Sequence, residues 1–265
     1  MKIRISHTTT YSYDSPVSYG LQQVRLTPPT DGNQTVIDWR MDIEGGKAEL
    51  TCEDQYQNTC TLVQTHDNAS QVAITVSGEI ETHNPDGVYG KRYGPAPLWH
   101  YQQTTKRTEP GDGIAALSQL ITNSAGDLAE LHALSARILA DVPYGKVPTT
   151  VTTTAEEALA LGGGVCQDHA QIFIAAVRNA GIPARYVSGY LMMDDHADQD
   201  ATHAWAEAHI EGLGWVAFDV SNGISPDERY VRLAVGRDST DAAPVSGLWK
   251  GNAQEAVKVM LQVQQ

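Results

Sequence analysis

Gly162-Gly163-Gly164-Val165-Cys166-Gln167-Asp168 is where the pattern of this chain changes. Beyond it, Ala170, Phe173, Ile174 and Val177 recur at helical spacing, and Gly181 with Pro183 ends the run. The reading is a helix that begins near Cys166, entered through glycines that let another backbone or a ligand come close. A residue at that position lies among N–H groups with no intrahelical acceptor, at the positive end of the helix. The setting favours a thiolate, and the same N–H groups could hold a developing oxyanion. Taken alone, the stretch also describes a small buried hydrophobe, the commonest fate of a free cysteine.

Outward from this point the two sides differ. On the C-terminal side, strands are expected at about 184–192, 203–210 and 215–220, with Gly212-Leu213-Gly214 as the hairpin turn between the last two. In the strand Thr202-His203-Ala204-Trp205-Ala206-Glu207-Ala208-His209, His203, Trp205, Glu207 and His209 share one face. The alanines share the other, which suits close packing on helices. Asp219 ends the strand that follows the turn, and could accept the Nδ1–H of His203 on its neighbour. A last alternation, Val257, Val259, Leu261 and Val263, predicts a C-terminal strand.

On the N-terminal side, Leu128, Leu131, Leu134 and Ile138 predict an amphipathic helix that stops before Pro143. A second is expected at about 155–161 with Thr154 as its N-cap. Earlier still the period is two: Ile37, Trp39, Met41 and Ile43, then Val72, Ile74, Val76 and Ile80. Turn signals such as Pro28-Pro29, Asp31-Gly32 and Gly45-Gly46 separate these runs. The expected organisation is an N-terminal antiparallel β-sandwich-like domain over 1–83 and an irregular connector over 84–112. A helix-and-antiparallel-sheet domain over 113–265, closed by the C-terminal strand, completes the α+β chain.

Composition narrows the function. The chain has 265 residues, 41% of them hydrophobic, which is enough for a core. Its formal net charge of −14 repels nucleic-acid phosphates and anionic lipid at long range. No apolar run reaches the ~18 residues of a membrane span, and the first residues, Met1-Lys2-Ile3-Arg4-Ile5, lack the apolar core of a secretory signal. The expectation is a cytoplasmic protein that binds neither nucleic acid nor membrane, with its oligomeric state open. The three cysteines form an odd set, which argues against a disulfide framework. Cys52 and Cys60 flank a turn and could face each other across a hairpin.

A nucleophile at a helix start, a base on a strand and a carboxylate on the next strand together have the logic of a thiol triad. Gly164-Val165-Cys166-Gln167-Asp168, His203-Ala204-Trp205-Ala206-Glu207 and Gly214-Trp215 with Asp219-Val220-Ser221-Asn222-Gly223 resemble the bacterial members of the transglutaminase-like superfamily. Val231-Arg232-Leu233-Ala234-Val235-Gly236-Arg237-Asp238 is similar to their C-terminal portion, and the strand-rich start to the β domain that accompanies the core. The resemblance implies a papain/transglutaminase-like core with Cys166 as nucleophile, His203 as base and Asp219 as orienting acid. It makes Tyr144 the aromatic residue upstream of the nucleophile, lining the site or supporting the oxyanion, with Gly164, Trp205 and Asn222 also beside the site. Ser221 stands where many relatives carry Thr, and His169 where many carry an aromatic residue.

The expected activity is hydrolysis of a peptide or amide bond in a peptide or protein substrate, without cofactor or metal. Amine transfer, as in a protein-glutamine transglutaminase, and a non-catalytic peptide-binding module are the alternatives. Zinc on Cys166, His169, His203 and His209 is disfavoured because Cys166-x-x-His169 has no second close pair. The acidic loop 194–200 could gate the site or hold a cation, but lacks the glycine and terminal glutamate of an EF-hand loop.

Overall fold

The computed structural model describes residues 1–91, 94–145, 149–193, 197–250 and 253–265. The N-terminal strands are β1 (Lys2–Val17), β2 (Tyr19–Thr27), β3 (Gln34–Glu44), β4 (Gly46–Glu53), β5 (Thr59–Thr65) and β6 (Ala69–Thr82). Alternation sets their inner face: Ile3 and Ile5 of β1 and Val72, Ile74, Val76 and Ile80 of β6 are buried, against Val24, Leu26 and Val63 of the facing sheet.

The rest of the chain supplies β7 (Val88–Gly90), α1 (Asp112–Ser118), α2 (Leu128–Asp141), α3 (Ala155–Leu161) and α4 (Cys166–Asn179). Then come β8 (Ala184–Leu191), β9 (Asp198–Gln199), β10 (His203–Ile210), β11 (Gly214–Phe218), β12 (Tyr230–Gly236), β13 (Val245–Lys250) and β14 (Glu255–Gln264). The central antiparallel sheet has the order β12-β8-β10-β11-β7. Helix α4 lies on it over Ala204, Ala206 and Ala208, and α1, α2 and α3 cover the helix. The three alanines let the helix approach closely, as their shared face predicts. Gly212 and Gly214 turn the β10–β11 hairpin with positive φ, a conformation that side chains resist.

Two groupings differ from the sequence reading. The C-terminal strand forms, but β14 pairs with β1 and β13 with β2, so the chain returns to complete both sheets of the sandwich. The division at 113–265 therefore does not follow the sheets. The connector also adds a strand, β7, to the edge of the central sheet. Alternation identifies a strand with a wet face but carries no information about its partner. β12 and α1 escaped the pattern reading. Every residue of β12 is buried, which removes alternation, and α1 is seven residues long and contains Gly113.

The sandwich and the central sheet are locked together by side-chain amides that imitate strand pairing. Gln34 donates to the Arg232 carbonyl at 3.0 Å and accepts from its N–H at 2.8 Å. Asn58 does the same with Val235, both bonds at 2.8 Å. These bonds cover the open edge of β12. Cys52 and Cys60 do face each other across β4 and β5, as free thiols.

Candidate active site

Cys166 is the first residue of α4, with Val165 at the N-cap. Asp168 closes the turn that presents it: its Oδ2 accepts from the Val165 N–H at 2.9 Å and from Thr149 Oγ1 at 2.9 Å. Gly164 is dictated by space, because a Cβ there would stand 2.8 Å from the Asp168 Cβ. One turn along the helix, His169 is fully buried. Its Nε2–H donates to the Val142 carbonyl at 2.7 Å, and its Nδ1 accepts from Ser221 Oγ at 2.8 Å. This histidine ties α4 to the end of α2 and to the segment after β11, and both its nitrogens are occupied.

His203 and Asp219 meet at the neighbouring ends of β10 and β11. His203 Nε2–H donates to Asp219 Oδ2 at 2.6 Å, with both residues buried. The sequence reading gave Asp219 the Nδ1 proton. The structure gives it Nε2, because β10 presents the ring with its far nitrogen toward β11. Burial opposes a charge on His203, but hydrogen bonds to Asp219 and to the Cys166 side chain prevail and push its pKa up to about 10. Burial likewise opposes charge on Asp219, yet hydrogen bonds from His203, Asn222 and Tyr230 hold its carboxyl below the usual range. Its Oδ2 also accepts from Tyr230 Oη at 2.7 Å and Asn222 Nδ2 at 2.7 Å, and its Oδ1 from the Asn222 N–H at 3.2 Å.

Cys166 and His203 open onto one cleft of about 480 Å³. Val165, Gln167, Tyr186, Ser188 and Ala204 line it, with Ser239, Thr240 and residues 242–245, and with Arg107 and Val151. Among the described residues, none that lines it is acidic. The four residues expected beside the triad have other places. Asn222 and Trp205 stand behind it: Asn222 binds Asp219, and Trp205 is buried between His203 and Tyr230. Gly164 makes room for Asp168 and bridges Tyr144, which is 60% exposed. Burial, with the neighbouring Cys166 and Asp219, raises the Tyr144 phenol above its ordinary pKa. None of the four lines the cleft. Tyr230 and the lining residues Ser239, Thr240 and 242–245 had no signal in the sequence, since they act through contacts that only the folded chain makes.

Glu207, on the same face as His203, is not part of this site. Its carboxylate is bound by Arg185 Nε at 2.7 Å and by Arg232. Among the described residues, no three His, Cys, Asp or Glu side chains are grouped to hold a metal ion. Of the acidic loop, residues 194–196 lie outside the described residues, and Asp198–Gln199 form β9.

This fold, with a cysteine at a helix start and a His–Asp pair on adjacent strands, defines a papain-like class. The description Transglutaminase-like superfamily matches residues 115–220, and Bacterial transglutaminase-like N-terminal region matches residues 3–81. The chain is a bacterial transglutaminase-like protein. It is 27% identical to an uncharacterized protein of Mycobacterium leprae (strain TN), over 99% of this chain and 98% of the other. Against an uncharacterized protein of Mycobacterium tuberculosis (strain ATCC 25618 / H37Rv) it is 29% identical, over 97% and 90%. A solved structure from Cytophaga hutchinsonii, titled "a Putative Cysteine Protease", shares the fold with a TM-score of 0.76. That pair is 21% identical and aligned over 100% of this chain and 91% of the other.

Proposed function

We propose that this protein is a cysteine hydrolase that cleaves a peptide or amide bond through Cys166, His203 and Asp219. The observation that carries the reading is the buried His203–Asp219 hydrogen bond of 2.6 Å at the edge of a cleft that Cys166 also lines. In the first half-reaction Cys166 Sγ, its proton already held by His203, attacks the carbonyl carbon. N–H groups at the start of α4 receive the developing oxyanion. Collapse of the tetrahedral species breaks the C–N bond, and His203 returns the proton to the departing amine. Water then attacks the thioester with His203 as base and releases the acid and the free thiol.

Hydrolysis is preferred to amine transfer because transfer needs an acceptor held near the thioester at high effective concentration. A lysine-type acceptor would be drawn by a carboxylate, and among the described residues the cleft lining has none; the permanent charge it does carry there is Arg107. The test offers peptide and glutamine-containing substrates with and without a lysine analogue and identifies the products by mass. Acid products that persist in the presence of amine support hydrolysis. Predominant isopeptide would overturn hydrolysis and keep the triad.

A further inference from the structure

The catalytic cleft does not end at the central sheet. A second hollow of about 180 Å³ adjoins it, and the two share Ala201, Thr202, Pro244 and Val245. Beyond those shared residues the second hollow is walled by His7, Thr9 and Tyr11 of β1 and by Val257 and Val259 of β14. It therefore lies on the sandwich, and its near end adjoins His203 through Thr202.

The hollow arises where two strands part. β9 pairs with β14 at Gln199–Leu261 and Asp198–Gln262, and the chain then leaves β14 to reach His203. From Met260 back to Glu255, no described strand follows β14 on that side. The main-chain groups of that edge are the kind that an extended polypeptide can pair with by adding a strand. Val257, 53% exposed, stands in the hollow as an uncovered aliphatic side chain.

Among the described residues the lining is also uncharged, in a chain whose net charge is −14. Its one titratable basic group, His7, is buried and neutral: burial pushes its pKa down to about 4, and its ring nitrogens bond Tyr190 Oη and Thr9 Oγ1 at 2.9 Å each. A charged side chain entering the hollow would lose water and meet no charged group in the described lining; Glu255, whose charge acts on Tyr11, lies outside it and is hydrogen-bonded to Tyr13.

Resting on the hydrolase reading above, we propose that the sandwich supplies a substrate subsite. The β14 edge and the hollow beside it hold an extended segment of the substrate polypeptide adjoining the scissile bond, rich in uncharged aliphatic and hydroxyl side chains. The N-terminal domain and the returning C-terminal strand are then parts of the substrate-binding surface.

The proposal is tested by binding and by turnover. On Cys166→Ala protein, fluorescence anisotropy reads the affinity of a fluorescein-labelled peptide of roughly eight alternating Thr and Val residues. A matched peptide carries Asp and Lys at alternate places. The uncharged peptide binds about tenfold more tightly, and Val257→Asp removes the difference. Met260→Asp, on the opposite face of β14 and 50% exposed, retains it. In turnover, lengthening a cleaved peptide with Thr and Val lowers KM in wild-type and Met260→Asp protein, but not in Val257→Asp protein. Equal affinity for both peptides, or an unchanged preference in folded Val257→Asp protein, overturns the subsite. Loss of all turnover with the binding preference intact overturns the hydrolase reading instead.

Discussion

His203 and Glu207 stand on one face of β10, and each is the centre of a buried cluster of charges. Around Glu207, each oxygen takes a guanidinium; Arg185 stacks over Trp215 at 4.0 Å and Arg232 over Tyr89 at 4.3 Å. Guanidinium does not give up its proton in proteins, so this cluster has no proton to move. Around His203, Asp219 holds one nitrogen while the other side of the ring faces the Cys166 thiol and the cleft. Burial and pairing are common to both. On the proposed reading, chemistry belongs to the cluster that keeps an exchangeable proton and a nucleophile beside open space.

The strongest way to break this comparison is to remove the nucleophile. Cys166→Ala is expected to lower kcat/KM by about 10³-fold or more while the far-UV spectrum stays unchanged, since triad members act as a unit. Wild-type turnover by the folded variant would end the enzymatic reading.

Asp219→Asn tests the histidine's partner. Losses of roughly 10²–10⁴-fold in kcat are expected when an orienting carboxylate is lost. The pH profile sharpens it. With the His203 pKa at about 10, the alkaline limb of wild-type kcat/KM falls near pH 10, and in the variant it moves to lower pH. Stability carries the same sign. The folded imidazole holds its proton above the ordinary value of 6.5, so the pair's stabilisation is complete below pH 6.5 and is lost as pH rises toward about 10. Denaturant titrations from pH 6 to 10 on wild-type and His203→Gln protein check this, and the variant should lack that component of the decline.

Glu207→Ala inverts the pattern. It leaves Arg185 and Arg232 buried without their anion, a change that typically costs about 3–5 kcal/mol. A large fall in denaturation midpoint is expected, with Cys166 still alkylated in the protein that remains folded. The smallest effect belongs to Tyr230→Phe, which removes one hydrogen bond to Asp219 and leaves the ring packing in place. About 1–2 kcal/mol of stability and up to roughly tenfold in kcat are expected.

The motif residues were legible because each states a local constraint. The glycine run announces a close approach, the cysteine a helix start, and the alternation of alanine with His203, Trp205 and Glu207 a two-faced strand. These give the fold of the core and bring Cys166, His203 and Asp219 to one place. Which nitrogen of His203 meets Asp219 was not legible, because it depends on how two strand ends meet. Nor was the return of β14 to β1, since a half-buried strand advertises a wet face and not a partner. Trp205 reads as a site residue by its face, yet it packs behind the site, because that face of β10 is covered by aromatic residues such as Tyr89 and Tyr101 of the connector rather than left to solvent.

The chain contains its own controls for the central claim: exposed Cys52, buried Cys60 and Cys166 at the helix start. Site-resolved alkylation by iodoacetamide at neutral pH, read by peptide mass spectrometry, compares all three in one sample. Cys166 is expected to react faster than exposed Cys52, and to lose that advantage in His203→Ala protein. Reaction of Cys166 slower than Cys52, or a rate indifferent to His203, would contradict the account and leave Cys166 a structural thiol.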